Sequence, residues 1–101
     1  KRWHDDGKRI FVHAGVDPSK DMQDQTEAVL LWMRYQPRNA DIRYPDRHIV
    51  HGHTPERDAP CLYPGRTNLD GYAVGTGRLV IAVFDDDRDG GPIGTFDVLA
   101  A

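Results

Sequence analysis

The chain has 101 residues, with 13 basic and 16 acidic side chains, five His, one Cys and a formal charge of −3. One Cys excludes an intrachain disulfide framework and a cysteine-rich zinc ribbon, the mild acidity argues against nucleic acid as a partner, and no apolar run reaches the roughly 18–20 residues of a membrane span. The composition fits one small soluble domain with a single modest core, in a reducing, cytoplasmic compartment.

The chain opens on Lys1 without Met, and its first nine residues are polar, which reads as entry into the middle of a longer protein. Arg9–His13 (RIFVH) is a short apolar run before Ala14-Gly15, a buried strand ending in a turn. Asp17-Pro18 turns the chain, and Asp24-Gln25-Thr26-Glu27 has the form of a capping box. The spacing of Val29, Trp32 and Met33, widened by Leu30 and Leu31, predicts a packed helix over about 24–34. Residues 35–47, with Pro37 and Pro45, read as a loop. His48–His51 (HIVH) is a second strand that breaks at Gly52-His53-Thr54-Pro55.

Residues 54–66 read as irregular, and Thr67–Asp70 as a third strand. Leu79–Phe84 (LVIAVF) is six apolar residues in succession, the pattern of a strand covered on both faces. Asp85–Pro92 is an acidic turn, and Thr95–Leu99 alternates, with Phe96 and Val98 inward. The expected fold class is α/β, mostly β with one main helix.

The histidines are the informative residues. His13 and His53 each stand where a hydrophobic strand breaks into a Gly-containing turn. In open α/β sheets, ligands and catalytic groups gather at the carboxyl ends of strands. Neutral imidazole binds zinc, manganese and iron, so the two could form half of a metal site. The competing reading is a pair of hydrogen-bonded structural histidines. His4 and His48 are expected at the surface. Cys61 could add a thiolate near His53 or be incidental. Asp85–Gly90 imitates half of a calcium loop, but Phe96 occupies the position where the closing Glu belongs.

FVHAGVDP (11–18), LLWMR (30–34), IVHGHTP (49–55), NLD (68–70) and GRL (77–79) occur in this order. Together they resemble the C-terminal half of a calcineurin-like metallophosphoesterase, of the bacterial serine/threonine phosphoprotein phosphatase branch. The resemblance runs from about Arg9 to Asp87 and implies half of a four-layer αββα sandwich, with residues 1–101 a single partial domain. It implies His13 and His53 as ligands of one metal and Arg34 as the phosphate binder. His51, Asn68 and Asp70 would support the site. The parent enzyme would use two divalent ions (manganese, iron or zinc) to activate hydroxide against a phosphomonoester. Its substrates would be a phosphoprotein or a small phosphoester.

The family's GDxHG, GDxxDRG and GNHE motifs do not occur in these residues, and Asp70-Gly71-Tyr72 stands where the family has Asp-Thr-Gly. The expectation is therefore an inactive chain that holds at most one metal weakly. Its partner would be the missing N-terminal half of the domain, and a truncated sheet edge is expected to promote self-association. Two alternatives stay open: a dinucleoside tetraphosphate hydrolase of the same superfamily, and a non-catalytic metal- or phosphate-binding remnant.

Overall fold

The structure, a computed structural model, describes residues 2–100. Five strands form one sheet: β1 (Trp3–Asp5), β2 (Arg9–Val12), β3 (His48–His51), β4 (Cys61–Tyr63) and β5 (Arg66–Asn68). Their spatial order is β1-β2-β3-β5-β4, with β2, β3 and β5 mutually parallel and the edge strands β1 and β4 antiparallel. Ile10 lies beside Ile49, and Val50 beside Thr67. The chain is thus an α/β domain, mostly strand with few helices.

A single-turn 3-10 segment (Met22–Asp24) and helix α1 (Glu27–Trp32) lie between β2 and β3. A one-turn helix α2 (Ala73–Thr76) precedes a separate antiparallel hairpin of β6 (Arg78–Val83) and β7 (Gly94–Leu99). The core sits under the parallel strands, where Ile10, Val12, Val16, Leu30 and Ile49 pack together. Among the described residues, no helix is long and apolar enough to cross a membrane.

Several expectations are corrected. The helix is shorter than 24–34 because Thr26, not Asp24, caps it: the Thr26 hydroxyl accepts from Val29 N–H at 3.2 Å. Its expected packed face is also wrong, since only Leu30 is buried and Trp32 is 71% exposed. The third strand is Arg66–Asn68 rather than Thr67–Asp70, and it pairs with β4 inside the stretch expected to be irregular. The Pro64-Gly65 turn joins these two strands. Gly65 has φ 82, and a Cβ there would fall 1.6 Å from the Ile42 carbonyl oxygen, so only glycine fits.

β1 lies in the polar opening stretch, where the sequence predicts no strand. The Asp6-Gly7 pair folds it back on β2 through a positive φ at Gly7. The LVIAVF strand exists but is not covered on both faces: Val80 is buried, while Leu79 and Val83 are 54% and 45% exposed. Phe96 and Val98, expected inward, are also exposed. They pair across the hairpin with Ile81 and Leu79, and all of β7 is exposed.

Candidate functional site: a histidine pair at the strand ends

Because β2 and β3 are parallel neighbours, their carboxyl ends emerge side by side and bring His13 and His53 together. The two rings lie 5.0 Å apart between centroids, tilted by 58°. Backbone bonds clamp their loops: Gly52 N–H donates to the His13 carbonyl at 2.8 Å, and Ala14 N–H to the Leu30 carbonyl at 2.9 Å. At Gly15 a Cβ would come within 2.7 Å of both Met33 Sδ and Tyr35 Oη, so a larger residue requires these side chains to shift.

His53 is held in an unusual backbone state. Its φ is 68°, and Thr54 N–H donates to the Gly52 carbonyl at 2.8 Å, closing a three-residue γ-turn with His53 at its apex. Such turns with positive φ are rare and strained, and strain of this kind gathers at functional positions. The turn aims the imidazole at His13 on one side and at the edge of Trp32 on the other, 5.8 Å between centroids.

Asn68 fastens this turn from below. Fully buried at the end of β5, its amide donates to the Thr54 carbonyl at 2.9 Å and to Glu56, and its Oδ1 accepts from Asp70 N–H at 3.0 Å. The Asp70 carbonyl in turn accepts from Glu56 N–H at 2.9 Å. The Asp70 carboxylate takes the Tyr72 N–H at 3.0 Å and borders the same cleft of about 500 Å³ as His13 and His53. Tyr72, where the resembled family has Gly, adopts φ 57 in the left-handed region. Thr54 Oγ1 is buried and has no partner among the described residues, an orphaned polar atom one residue from His53.

His51 points elsewhere, although alternation along a strand would put it on the His53 side. The γ-turn breaks that alternation. The His51 ring packs edge-on against Tyr35 at 5.1 Å, and Arg66 Nη1 donates to its Nε2 at 2.9 Å. An arginine can only donate, so Nδ1 carries the proton and donates to the Gly52 carbonyl at 3.1 Å. Burial, helped by the Arg66 charge, pulls the His51 pKa down to about 4 and keeps the ring neutral.

Arg66 itself is 1% exposed, stacked between the rings of Tyr35 and Tyr63 at 4.1 Å each, and donates to the Ala40 carbonyl at 3.0 Å. This buried network ties β3, β4 and β5 beneath the histidine pair. Glu56 and Arg66 were missed in the sequence because single charged residues between prolines and glycines carry no periodic signal. His48 is likewise corrected: it is buried, and Nε2 meets Thr67 Oγ1 at 2.8 Å. Burial, then the neighbouring Arg9 charge, lowers its pKa.

Arg34 is exposed, lies two residues beyond the end of α1, and is not among the residues bordering the cleft. It therefore neither caps the helix nor joins the histidines in this structure. Cys61 sits on β4 opposite Asn68, and burial followed by the Glu56 carboxylate raises its thiol pKa, the reverse of what a ready thiolate ligand needs. The carbonyls of the calcium-like loop are already taken, since Asp85, Arg88 and Gly90 all accept from Arg9.

Two adjacent imidazoles supply two of the four to six donors that zinc or manganese requires. Among the described residues no group of three or more His, Cys, Asp or Glu is arranged to hold an ion. The pair by itself therefore falls short of a complete coordination sphere. Comparison with known proteins adds no assignment: no family model, curated protein or solved structure matches the chain.

Proposed function

We propose that this chain is the C-terminal part of a calcineurin-like metallophosphoesterase, half of an αββα sandwich from a cytoplasmic phosphomonoesterase of the serine/threonine protein phosphatase type. The observation that carries the reading is the His13–His53 pair, 5.0 Å apart at the carboxyl ends of adjacent parallel strands. The exposed apolar face of the hairpin supports it, because that face is where a second layer would pack.

His13 and His53 would hold one divalent ion, which when bound supplies positive charge to a phosphate and lowers the pKa of water. The chain's own contribution is orientation. The Gly52–His13 backbone bond fixes the spacing of the two rings, and Asn68 holds the γ-turn that aims His53. Arg34, exposed beyond α1, is the candidate to orient the phosphate, through the planar fork suited to that task. In this reading it reaches the site only when a substrate or the rest of the domain is in place.

A second reading, a non-catalytic metal-binding module, rests on the same His13–His53 pair. Zinc and manganese titrations of the 101-residue chain, with p-nitrophenyl phosphate hydrolysis alongside, test both. Weak one-site binding lost in His13→Ala, with no turnover, is the expected result. Binding unchanged in His13→Ala and His53→Ala would sink the phosphoesterase and metal-module readings alike, and rapid manganese-dependent turnover would overturn the view that the site here is incomplete.

A further inference from the structure

Next to the histidine cleft lies a smaller one of about 410 Å³, bordered by Arg38, Pro55, Arg57, Asp58 and Tyr72. Two stretches of chain lead from one cleft to the other: Pro55 is two residues beyond His53, and Tyr72 two beyond Asp70. Consecutive Cα atoms are about 3.8 Å apart, so each of these pairs stands within about 8 Å. Arg38 and Arg57 are exposed, and neither forms an ion pair with a described residue, Asp58 included. Arg47 and Arg78, by contrast, are held by Asp5 and Asp97.

Both arginines stand on anchored backbone. The Arg38 carbonyl accepts from Arg66 Nη2, and the Arg57 carbonyl from Arg78 Nη2. The Arg57 guanidinium is also placed: it lies over the Tyr72 ring, 5.1 Å from its centroid. Tyr72 is fixed in turn at the head of α2, where its N–H donates to the Asp70 carboxylate and its carbonyl accepts from Thr76 Oγ1, both at 3.0 Å. The ring rests against Gly75, where a Cβ would fall 2.0 Å from a ring carbon. Asp70, which borders the histidine cleft, thus also sets the platform under Arg57. The two arginines against Asp58 leave this cleft one net positive charge, in a chain whose formal charge is −3. A single carboxylate balances it, and the guanidinium fork matches carboxylate geometry. A phosphate ester, at about −1.5 to −2, would overshoot it beside Asp58.

We propose that this cleft is a specificity subsite for an acidic side chain, Asp or Glu, of a peptide substrate, with Arg57 and Arg38 recognising its carboxylate. The inference rests on the phosphoesterase reading: a peptide extended across both clefts would bring its phosphate to the histidine pair and a carboxylate a few residues along to the arginines. Arg38, Arg57, Asp58 and Tyr72 are all exposed, so the cleft is open and suits one side chain of a longer chain better than an enclosed small molecule.

The test is an amide-resolved NMR titration of the 101-residue chain with a Gly-Ser peptide carrying a run of Glu, against the same peptide carrying Gln, at constant ionic strength. Saturable shifts at the Arg38, Arg57 and Tyr72 amides are expected with the Glu peptide alone. Arg38→Gln combined with Arg57→Gln should weaken binding about tenfold, as loss of charge-assisted contacts implies. Both side chains are exposed, so the fold should tolerate the change. His13→Ala should leave Glu-peptide binding unchanged. Equal shifts with the two peptides, or binding that survives the double variant, would overturn the proposal. Inorganic phosphate giving the same shifts at lower concentration would overturn the choice of a carboxylate. A zinc titration of the same sample separates the subsite from the reading beneath it. Zinc bound at His13 and His53 without Glu-peptide shifts removes the subsite alone, whereas Glu-peptide shifts without zinc binding keep the acidic-peptide site and remove the phosphoesterase reading.

Discussion

His53 combines a strained backbone with a side chain proposed as a metal ligand, so its two contributions should separate on mutation. Gly adopts φ 68 without the steric cost that a Cβ incurs there, and the His53 ring is only half-buried. His53→Gly is expected to raise unfolding stability by about 1 kcal/mol in urea melts while abolishing zinc binding, a trade of stability for function. A less stable variant would show that the ring contacts with His13 and Trp32 outweigh the strain. Gly15 makes the opposite case. Gly15→Ala forces a Cβ against Met33 Sδ and Tyr35 Oη, each at 2.7 Å, and should cost about 1–3 kcal/mol by the same melts. Both positions were visible in the sequence as glycine-flanked histidine motifs. The left-handed state of His53 was not, because a histidine gives no local sign of the turn that Thr54 and Asn68 impose on it.

Strand β3 was readable as HIVH, yet the roles of its two histidines were not, since burial of a polar side chain depends on partners distant in sequence: Thr67 for His48, Arg66 and Tyr35 for His51. Both are held neutral, with pKa values below the ordinary 6.5 and that of His51 near 4. The unfolded chain takes up these protons first. Stability is therefore fully present above about pH 6.5 and declines as the pH falls towards 4, where His51 protonates in the folded state as well. For His51 alone that interval corresponds to roughly 3 kcal/mol. Urea midpoints measured between pH 7 and 4.5 should fall steadily, and His51→Gln should flatten the slope. A wild-type midpoint that does not move in this window would contradict the buried, neutral assignment. Helix α1 shows a different limit: its apolar residues have helical spacing, but the capping hydroxyl of Thr26 and the break at Met33 confine it to six residues, Glu27–Trp32. Trp32 then lies outside the core, against His53.

The whole chain has a radius of gyration of 13.2 Å, close to the ~13 Å of a compact domain of this length, so its exposed apolar surface does not come from an open shape. That surface is local. Ile81 faces Phe96 and Leu79 faces Val98 across the hairpin, so these four side chains project from one side of it. The other side is anchored: Val80 is buried, and Arg78 donates to the Ala59 carbonyl at 2.7 Å and to Asp97 at 3.1 Å. Apolar patterning made the strands legible, but it could not show which face would find a partner, because hydropathy records a preference for burial and not the element that satisfies it. A two-stranded ribbon with one apolar face uncovered is marginal alone and gains about 1.5–3 kcal/mol for each large side chain it fully buries. The isolated chain should therefore self-associate through this face, the same face that the phosphoesterase reading assigns to the remainder of the domain. Sedimentation velocity across a concentration series is expected to show a reversible shift to larger species. Phe96→Lys places a charge opposite Ile81 and should shift the chain to monomer, while leaving the far-ultraviolet spectrum and the zinc binding proposed for His13 and His53 unchanged. If the wild-type chain stays monomeric at every concentration, the hairpin is satisfied without a partner, and the structural support it lends to a missing second layer is lost.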